Sequence, residues 1–303
     1  MSKKLEELQQ LYASELFKQI ATNVETEAQQ ILNELKNKID IEYNGIVENK
    51  PLLINIGPVE KPTKKIVHSA FTDIVKVLQS QKAVRKNIML VGEAGSGKTQ
   101  LAADVAEAMN LQFYPMSVGL QTTKSDLLGF INAYGNYITT PLREAFEKGG
   151  VLLLDEFDAT HSGVITIINS LLANGHCSFP DKVVKAHPQF VCIVACNTYG
   201  DGGDFNYIGR NRLDAATLDR FITIKVGYDT KLECKLTDNP ILREKFNRMR
   251  ELCNSKKLNV VLSTRALLNC QDLMQAGYDM KDALQMCIFK GLDEDTVEML
   301  KKA

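Results

Sequence analysis

Five short runs in this chain carry residues whose types and spacing can do chemistry. The first is GEAGSGKT, Gly92 to Thr99, which follows the apolar run NIMLV and precedes the helix-forming QLAADVAEAM. Its pattern, G-x-x-x-x-G-K-[ST], wraps backbone N–H groups around a chain of phosphates. Gly92, Gly95 and Gly97 permit positive φ and a close approach that side chains would block, with Glu93, Ala94 and Ser96 as the intervening backbone. Lys98 has the reach for β- and γ-phosphates, and the Thr99 hydroxyl can ligate Mg²⁺. A helix beginning near Thr99 turns its positive end, with the Thr99 and Gln100 amides, toward the same anion. This spells a nucleotide phosphate site rather than a chance glycine-rich turn.

The second run is VLLLDEFD, residues 151–158: a buried strand ending in Asp155 and Glu156. The first carboxylate can hold Mg²⁺ through water, and the second can polarise an attacking water. Asp158 reads as a capping or packing residue. The third, VCIVACNTYG at 191–200, ends a strand in Asn197, a neutral amide able to orient water beside a γ-phosphate. The fourth, GRNRLDAATLDRF at 209–221, places Arg210, Arg212 and Arg220 ahead of the strand FITIKV. Guanidinium groups neutralise charge on a transferred phosphoryl; a surface salt bridge is the alternative for any single arginine, and for Arg210 and Arg212 more than for Arg220. The fifth is LSTRALL at 262–268, where Arg265 opens a helix capped by Ser263. A cation at a helix start is unfavourable for the dipole, which suggests that it answers to an external anion.

Positioning these groups takes a particular kind of fold. Apolar strand cores at 88–91, 112–116, 151–154, 190–196 and 222–226 alternate with helical stretches. The expected fold is therefore α/β: a five-stranded parallel sheet with helices on both faces. Strand signals end near residue 228, and a small helical domain is expected over 229–303. Residues 1–37 read as one amphipathic helix, with Leu5, Leu8, Tyr12, Leu16, Ile20, Val24, Ala28, Ile31 and Leu35 on one stripe. That stripe packs either on its own chain, on a neighbouring subunit or on a partner. Its spacing is longer than a heptad's, which disfavours a long left-handed coiled coil. IDIEYNGIV and PLLINIG, within 39–63, look like short strands. The expected division is 1–65 as an N-terminal helix and β module, 66–228 as the nucleotide-binding domain and 229–303 as a helical lid.

Composition narrows the partners. Of 303 residues 45% are hydrophobic, enough for real cores, and the net charge of −1 gives no bulk attraction to DNA, RNA or acidic lipid. The longest apolar run, FVCIVAC at 190–196, falls far short of the roughly 18 residues of a membrane span. MSKKLEELQQ lacks the apolar core of a secretory signal. Cysteines 177, 192, 196, 234, 253, 270 and 287 form no C-x-x-C pair, so reduced thiols and a cytoplasmic home are expected. Cys192 and Cys196 on one strand would lie about 13 Å apart, too far for one zinc ion.

In this order and spacing GEAGSGKT, LLLDEFD, CNT, LDAATLDRF and STRAL resemble an AAA+ ATPase. More narrowly, the chain is similar to the MoxR/dynein-related branch that includes the ATPase subunit of cobalt chelatase and stand-alone ATPases of bacteria and tailed phages. The resemblance covers roughly residues 66–275. It implies ATP and Mg²⁺ as cofactors, with Gly92 to Thr99 as Walker A, Asp155 and Glu156 as Walker B, and Asn197 as sensor 1. It implies Arg220 as an arginine finger reaching a neighbouring subunit's site and Arg265 as sensor 2, tying the lid to the γ-phosphate. Arg210 and Arg212 blur which arginine acts in trans. FINAYGNYI, after Leu128-Gly129, resembles that branch's helix-2 insertion, and HCSFPDKVVKAHPQF at 176–190 its second hairpin. Both are otherwise ordinary surface hairpins.

The function expected from this resemblance is a ring-forming Mg²⁺-ATPase, commonly a hexamer in the family, that remodels a protein client. A von Willebrand factor A domain protein or a metal-insertion complex is the implied partner. A nucleic-acid motor or loader on the same engine is the alternative, with Lys182 and Lys185 as local cations. A monomeric small-molecule kinase would leave Asn197 and Arg265 without a role. If phage-encoded, the protein would work in the host cytoplasm.

Overall fold

The computed structural model describes residues 67–80, 87–203, 207 and 209–302. The amphipathic stripe of residues 1–37 and the strand-like runs of 39–63 lie outside the described residues. In chain order come α1 (Phe71–Gln79), β1 (Asn87–Val91), α2 (Lys98–Ala108), β2 (Phe113–Ser117), α3 (Lys124–Leu128), β3 (Phe130–Ile131) and β4 (Tyr137–Ile138). Then follow α4 (Pro141–Lys148), β5 (Gly150–Asp155), α5 (Ser162–Asn174), β6 (His176–Ser178), β7 (Val183–Lys185), β8 (Phe190–Cys196), α6 (Ala215–Leu218) and β9 (Phe221–Lys225). The remainder is helical: α7 (Thr230–Leu236), α8 (Pro240–Lys256), α9 (Thr264–Gln275), α10 (Met280–Leu284) and α11 (Glu294–Lys302).

Five strands form one parallel sheet in the order β2-β5-β8-β1-β9. The three central strands are buried almost throughout, because helices cover both faces. Successive side chains point to opposite faces, and this alternation divides the core in two. Ile88, Leu90, Val151, Leu153, Ile193 and Ala195 pack against Ile74, Leu78, Leu101 and Val105 of α1 and α2. Met89, Leu152, Leu154, Cys192 and Val194 pack with Leu142, Phe146, Ile165 and Ile168 of α4 and α5. Each fully buried Leu, Ile or Phe contributes about 1.5–3 kcal/mol. The edge strands β2 and β9 are only partly covered, so their apolar pattern is weaker.

Two hairpins, β3-β4 and β6-β7, leave the sheet layer. The first follows α3, which a Thr123/Asp126 capping box starts and Gly129, at φ 76°, stops. Arg143 of α4 joins the two hairpins. Its buried guanidinium lies 5.1 Å from the Tyr137 ring of one and 4.4 Å from the Phe179 ring of the other. It also donates to Glu147 at 2.8 Å and to Asp181 at 2.9 Å.

The helices after Thr230 share a separate apolar core, built on Leu242, Phe246, Met249, Leu267, Cys270, Leu284 and Leu300. Their starts are well specified: Asn239 caps α8, with Pro240 in its first turn, and Ser263 and Asp279 cap α9 and α10. Among the described residues no helix is long and apolar enough to cross a membrane.

Candidate nucleotide site

The chemistry-bearing runs converge at the carboxyl ends of β5, β8 and β1, neighbours at the centre of the sheet. Each strand is a stiff buried rod that delivers its next residues to this edge. Gly92 to Gly97 form the loop between β1 and α2. Gly92 is held by close approach rather than by positive φ: a Cβ there would sit 1.9 Å from the Val226 carbonyl oxygen. Gly95 has both constraints, with φ +69° and a Cβ position only 2.6 Å from Ser263 Cβ. The start of α9 therefore rests on the loop.

Lys98 is buried, and its ammonium donates to the carbonyls of Gly92 (2.7 Å) and Glu93 (3.0 Å) and to Asn197 Oδ1 (2.9 Å). Burial pulls its pKa below the ordinary lysine value, with the negative charges of Asp155 and Asp158 acting in the opposite direction. The three acceptors turn the ammonium along the loop toward the end of β8. Thr99 Oγ donates to Asp155 Oδ2 at 2.8 Å, and the other Asp155 oxygen accepts from the Glu156 N–H at 2.9 Å. A hydroxyl and a carboxylate side by side, next to a loop built for phosphate, fit a hard cation that keeps some of its water. Ser96 Oγ, also in the loop, is buried without a hydrogen-bond partner among the described residues.

Glu156 takes a left-handed backbone conformation (φ 58°), which costs a residue with a Cβ about 1–2 kcal/mol. That turn ends β5 abruptly and leaves the Glu156 carboxylate exposed beside the loop. Its neighbour two residues on does more than the sequence suggests. Asp158 is fully buried, and its Oδ2 accepts from Asn197 N (3.0 Å), Thr198 N (2.9 Å) and Thr198 Oγ (3.0 Å). Arg210 Nη1 approaches Asp158 Oδ1 at 3.3 Å, while Nη2 lies 3.8 Å from Glu156 Oε1. Nothing in the local pattern DEFD points to partners near positions 197 and 210.

Two tyrosines also escape the sequence reading. The Ala94 N–H donates to Tyr207 Oη at 2.9 Å, and Tyr228 Oη donates to the Ala94 carbonyl at 3.1 Å. Tyr228 is stacked under Arg250, 4.3 Å from ring centre to guanidinium carbon. Arg250 forms a two-pronged ion pair with buried Glu233 at 2.7 and 2.8 Å, and Thr264 Oγ donates to the same carboxylate at 2.6 Å. The phosphate loop is thus linked, through Tyr228, Arg250 and Glu233, to the first turn of α9.

The remaining candidates divide. Arg265 is exposed in that first turn, its Cβ 3.5 Å from the position a Gly95 Cβ would occupy. The Gln100 side chain turns back along α2 to Asp104, leaving only its backbone for the anion. Arg212 is exposed and joins Asp201 through a backbone bridge. Arg220 is not brought to Lys98. It immediately precedes β9, whose Phe221 pairs with Asn87 at the start of β1. The loop begins after Val91, about 13 Å further along the sheet. Arg220 donates through Nη1 to the Ala216 carbonyl, and its Nε is buried without a partner among the described residues.

Comparison with known proteins places the chain. A family model for the AAA domain of the dynein-related subfamily matches residues 87–221, and one for the CbbQ/NirQ/NorQ C-terminal region matches 242–303. An uncharacterized protein of Staphylococcus saprophyticus is 28% identical over 240 residues, covering 72% of this chain and 88% of its own. One from Staphylococcus epidermidis is 28% identical over 245 residues, covering 72% and 90%. Among solved structures, NtrX from Brucella abortus is 18% identical with a TM-score of 0.42, over 73% of this chain and 50% of its own. A point mutant of Thermotoga maritima RuvB is 17% identical with a TM-score of 0.43, over 73% and 69%. The chain thus carries a dynein-related AAA domain followed by a CbbQ/NirQ/NorQ C-terminal region, the signature of the MoxR-like AAA+ ATPase family.

Proposed function

We propose that the chain is a ring-forming ATPase whose hydrolytic site is shared between two copies, and that turnover remodels a protein partner. The Gly92–Gln100 backbone would cradle the triphosphate. Lys98 would leave its carbonyls for the β- and γ-phosphate oxygens, with Asn197 orienting the attacking water. Glu156 would accept that water's proton as oxygen attacks the γ-phosphorus and the bridging bond to ADP breaks. Thr99 and Asp155 would hold Mg²⁺, which neutralises phosphate charge when bound. Arg265 would bring the helical segment 229–303 down on the γ-phosphate as a lid.

One placement carries the shared-site reading. Arg220 is held at the opposite end of the sheet from its own loop, by Ala216 and, through its carbonyl, by Asn87. An arginine there cannot serve its own chain's phosphate. It can serve another's, as AAA+ proteins commonly assemble into rings. The protein-remodelling part of the reading draws support from the β3-β4 hairpin, which presents Tyr134 at 89% exposure together with exposed Phe130, Ile131 and Ile138. A von Willebrand factor A domain protein or a metal-insertion complex is the partner class the family resemblance implies.

Subunit mixing tests the claim. Arg220→Ala should bind ATP normally and lose turnover by about 10³-fold or more. Mixed 1:1 with Lys98→Ala, which is impaired in its own half of the site, it should recover up to about a quarter of wild-type turnover, the share of seams that pair two intact halves at random. Mixed rings that recover nothing would end the shared-site model.

A further inference from the structure

We infer that Arg210 is a positioning residue of the hydrolytic site supplied in cis, and that Asp158 fixes it against Glu156. The inference rests on the reading of Glu156 as the base and is separable from the role given to Arg220.

Asn197, Thr198 and Arg210 meet at Asp158. One Asp158 oxygen takes two backbone N–H groups and a hydroxyl from the end of β8, and the other faces Arg210. A carboxylate buried this completely needs an opposite charge, and Arg210, whose side chain is 13% exposed, supplies it. The backbone fixes the arginine as well. The next residue, Asn211, donates its N–H to the Asp158 carbonyl at 2.7 Å and its side-chain amide to the Thr160 carbonyl at 2.9 Å. Arg210 is therefore anchored on both sides of the turn that follows Glu156.

Only one part of the guanidinium is engaged by Asp158. Nη2 is left facing the Glu156 carboxylate, 3.8 Å away. Glu156 is more than half exposed and, among the described residues, has no closer charged partner. Without Arg210 its side chain would sample the open space in front of the loop. With Arg210 it has one favoured direction, set by the same buried acid that fixes the backbone of Asn197. Base and water-orienting amide are thus referenced to a single point. This arrangement also separates the arginines: Arg210 is committed to its own chain by a buried ion pair, which leaves Arg220 for the neighbour.

The test compares Arg210→Ala and Arg210→Lys with wild type, using binding of a fluorescent ATP analogue and steady-state ATP turnover on the full chain. Arg210→Ala should keep nucleotide affinity within about threefold and lower kcat by about 10- to 100-fold, a fraction of a general base's worth. Arg210→Lys should recover part of kcat, since an ammonium can neutralise Asp158 but cannot span both carboxylates. If Arg210→Ala does not fold, the lysine variant and Asp158→Asn carry the same comparison, with unchanged nucleotide affinity as the check on folding. Equal loss of affinity and kcat, or unchanged kcat, would overturn the positioning role.

Mixing then tests the cis assignment. Arg210→Ala with Lys98→Ala should turn over no faster than the two variants' own residual activities allow, because each defect lies in its own chain's half of the site. Recovery there would place Arg210 in trans and overturn the inference while leaving the shared site intact. Failure of the Arg220→Ala mixture alone would remove the shared site, and the affinity and kcat comparison would still decide the role of Arg210.

Discussion

The two ends of the parallel sheet are built on opposite plans. At the carboxyl end, Lys98 has three acceptors, Asp155 two donors and Asp158 four, all from the same chain. At the amino end of β9, Arg220 makes one side-chain hydrogen bond to its own helix and keeps a buried Nε without a partner among the described residues. Groups that neutralise one another within a chain form a receptacle that is set before ligand arrives. A cation held away from every acid of that receptacle is a donor for something else. The difference gives the shared-site reading its physical content, since proximity alone assigns Arg210 to this chain's pocket and excludes Arg220 from it.

Substituting one residue at each end separates the two plans most strongly. Arg220→Ala should abolish turnover by about 10³-fold or more with ATP affinity retained. Lys98→Ala should cost affinity and turnover together, about 10²- to 10³-fold, because its ammonium meets phosphate in both ground and transition state. Calorimetric titration of ATP onto the two variants separates them. Equal affinities would mean that Lys98 stays on its carbonyls when nucleotide binds, and the contrast between the ends would then collapse.

Much of this division was legible in the sequence, and the reason is physical. A parallel strand covered on both faces must be apolar at every position, so NIMLV, GVLLLD and FVCIVAC announce themselves, and so do the polar residues that end them. The edge strands expected at 112–116 and 222–226 lie at 113–117 and 221–225, because their ends are set by ladder bonds to β5 and β1 rather than by apolar content. The break at Leu128-Gly129 was readable because a capping box and a glycine act over only a few residues. The Asp158–Arg210 pair was not: its members are 52 residues apart and meet only because β5 and β8 are neighbours. The same holds for Tyr228, Arg250 and Glu233, which share no local sequence pattern and meet only in the fold.

A smaller effect sharpens the receptacle itself. Gly95→Ala places a Cβ at φ +69°, at about 1–2 kcal/mol, and within 2.6 Å of Ser263 Cβ. The start of α9 must then shift, and Arg265 with it. ATP affinity should fall about tenfold, with turnover reduced further if Arg265 acts on the γ-phosphate as proposed. The measurement is the same titration together with kcat. Wild-type behaviour would show that α9 need not rest on the loop when ATP is bound.

The link between the loop and the helices is weaker still. Burial, reinforced by the negative charge of nearby Glu93, pushes the Tyr228 phenol well above the ordinary tyrosine value, so its hydroxyl keeps its proton and donates to Ala94. Tyr228→Phe removes that donor and leaves the ring under Arg250, so the Arg250–Glu233–Thr264 chain is preserved. Loss of one neutral hydrogen bond is worth about 0.5–1.5 kcal/mol, or roughly 2- to 10-fold in ATP affinity if the bond shapes the loop for phosphate. Should affinity hold while the unfolding temperature drops, the bond belongs to folding, and the loop keeps its shape without it. Should affinity fall while the unfolding temperature holds, this hydroxyl is one of the routes by which the helices shape the phosphate loop. Combining Tyr228→Phe with Gly95→Ala then separates two routes to the same loop: additive losses mean the contact at Ser263 and the bond at Ala94 act independently.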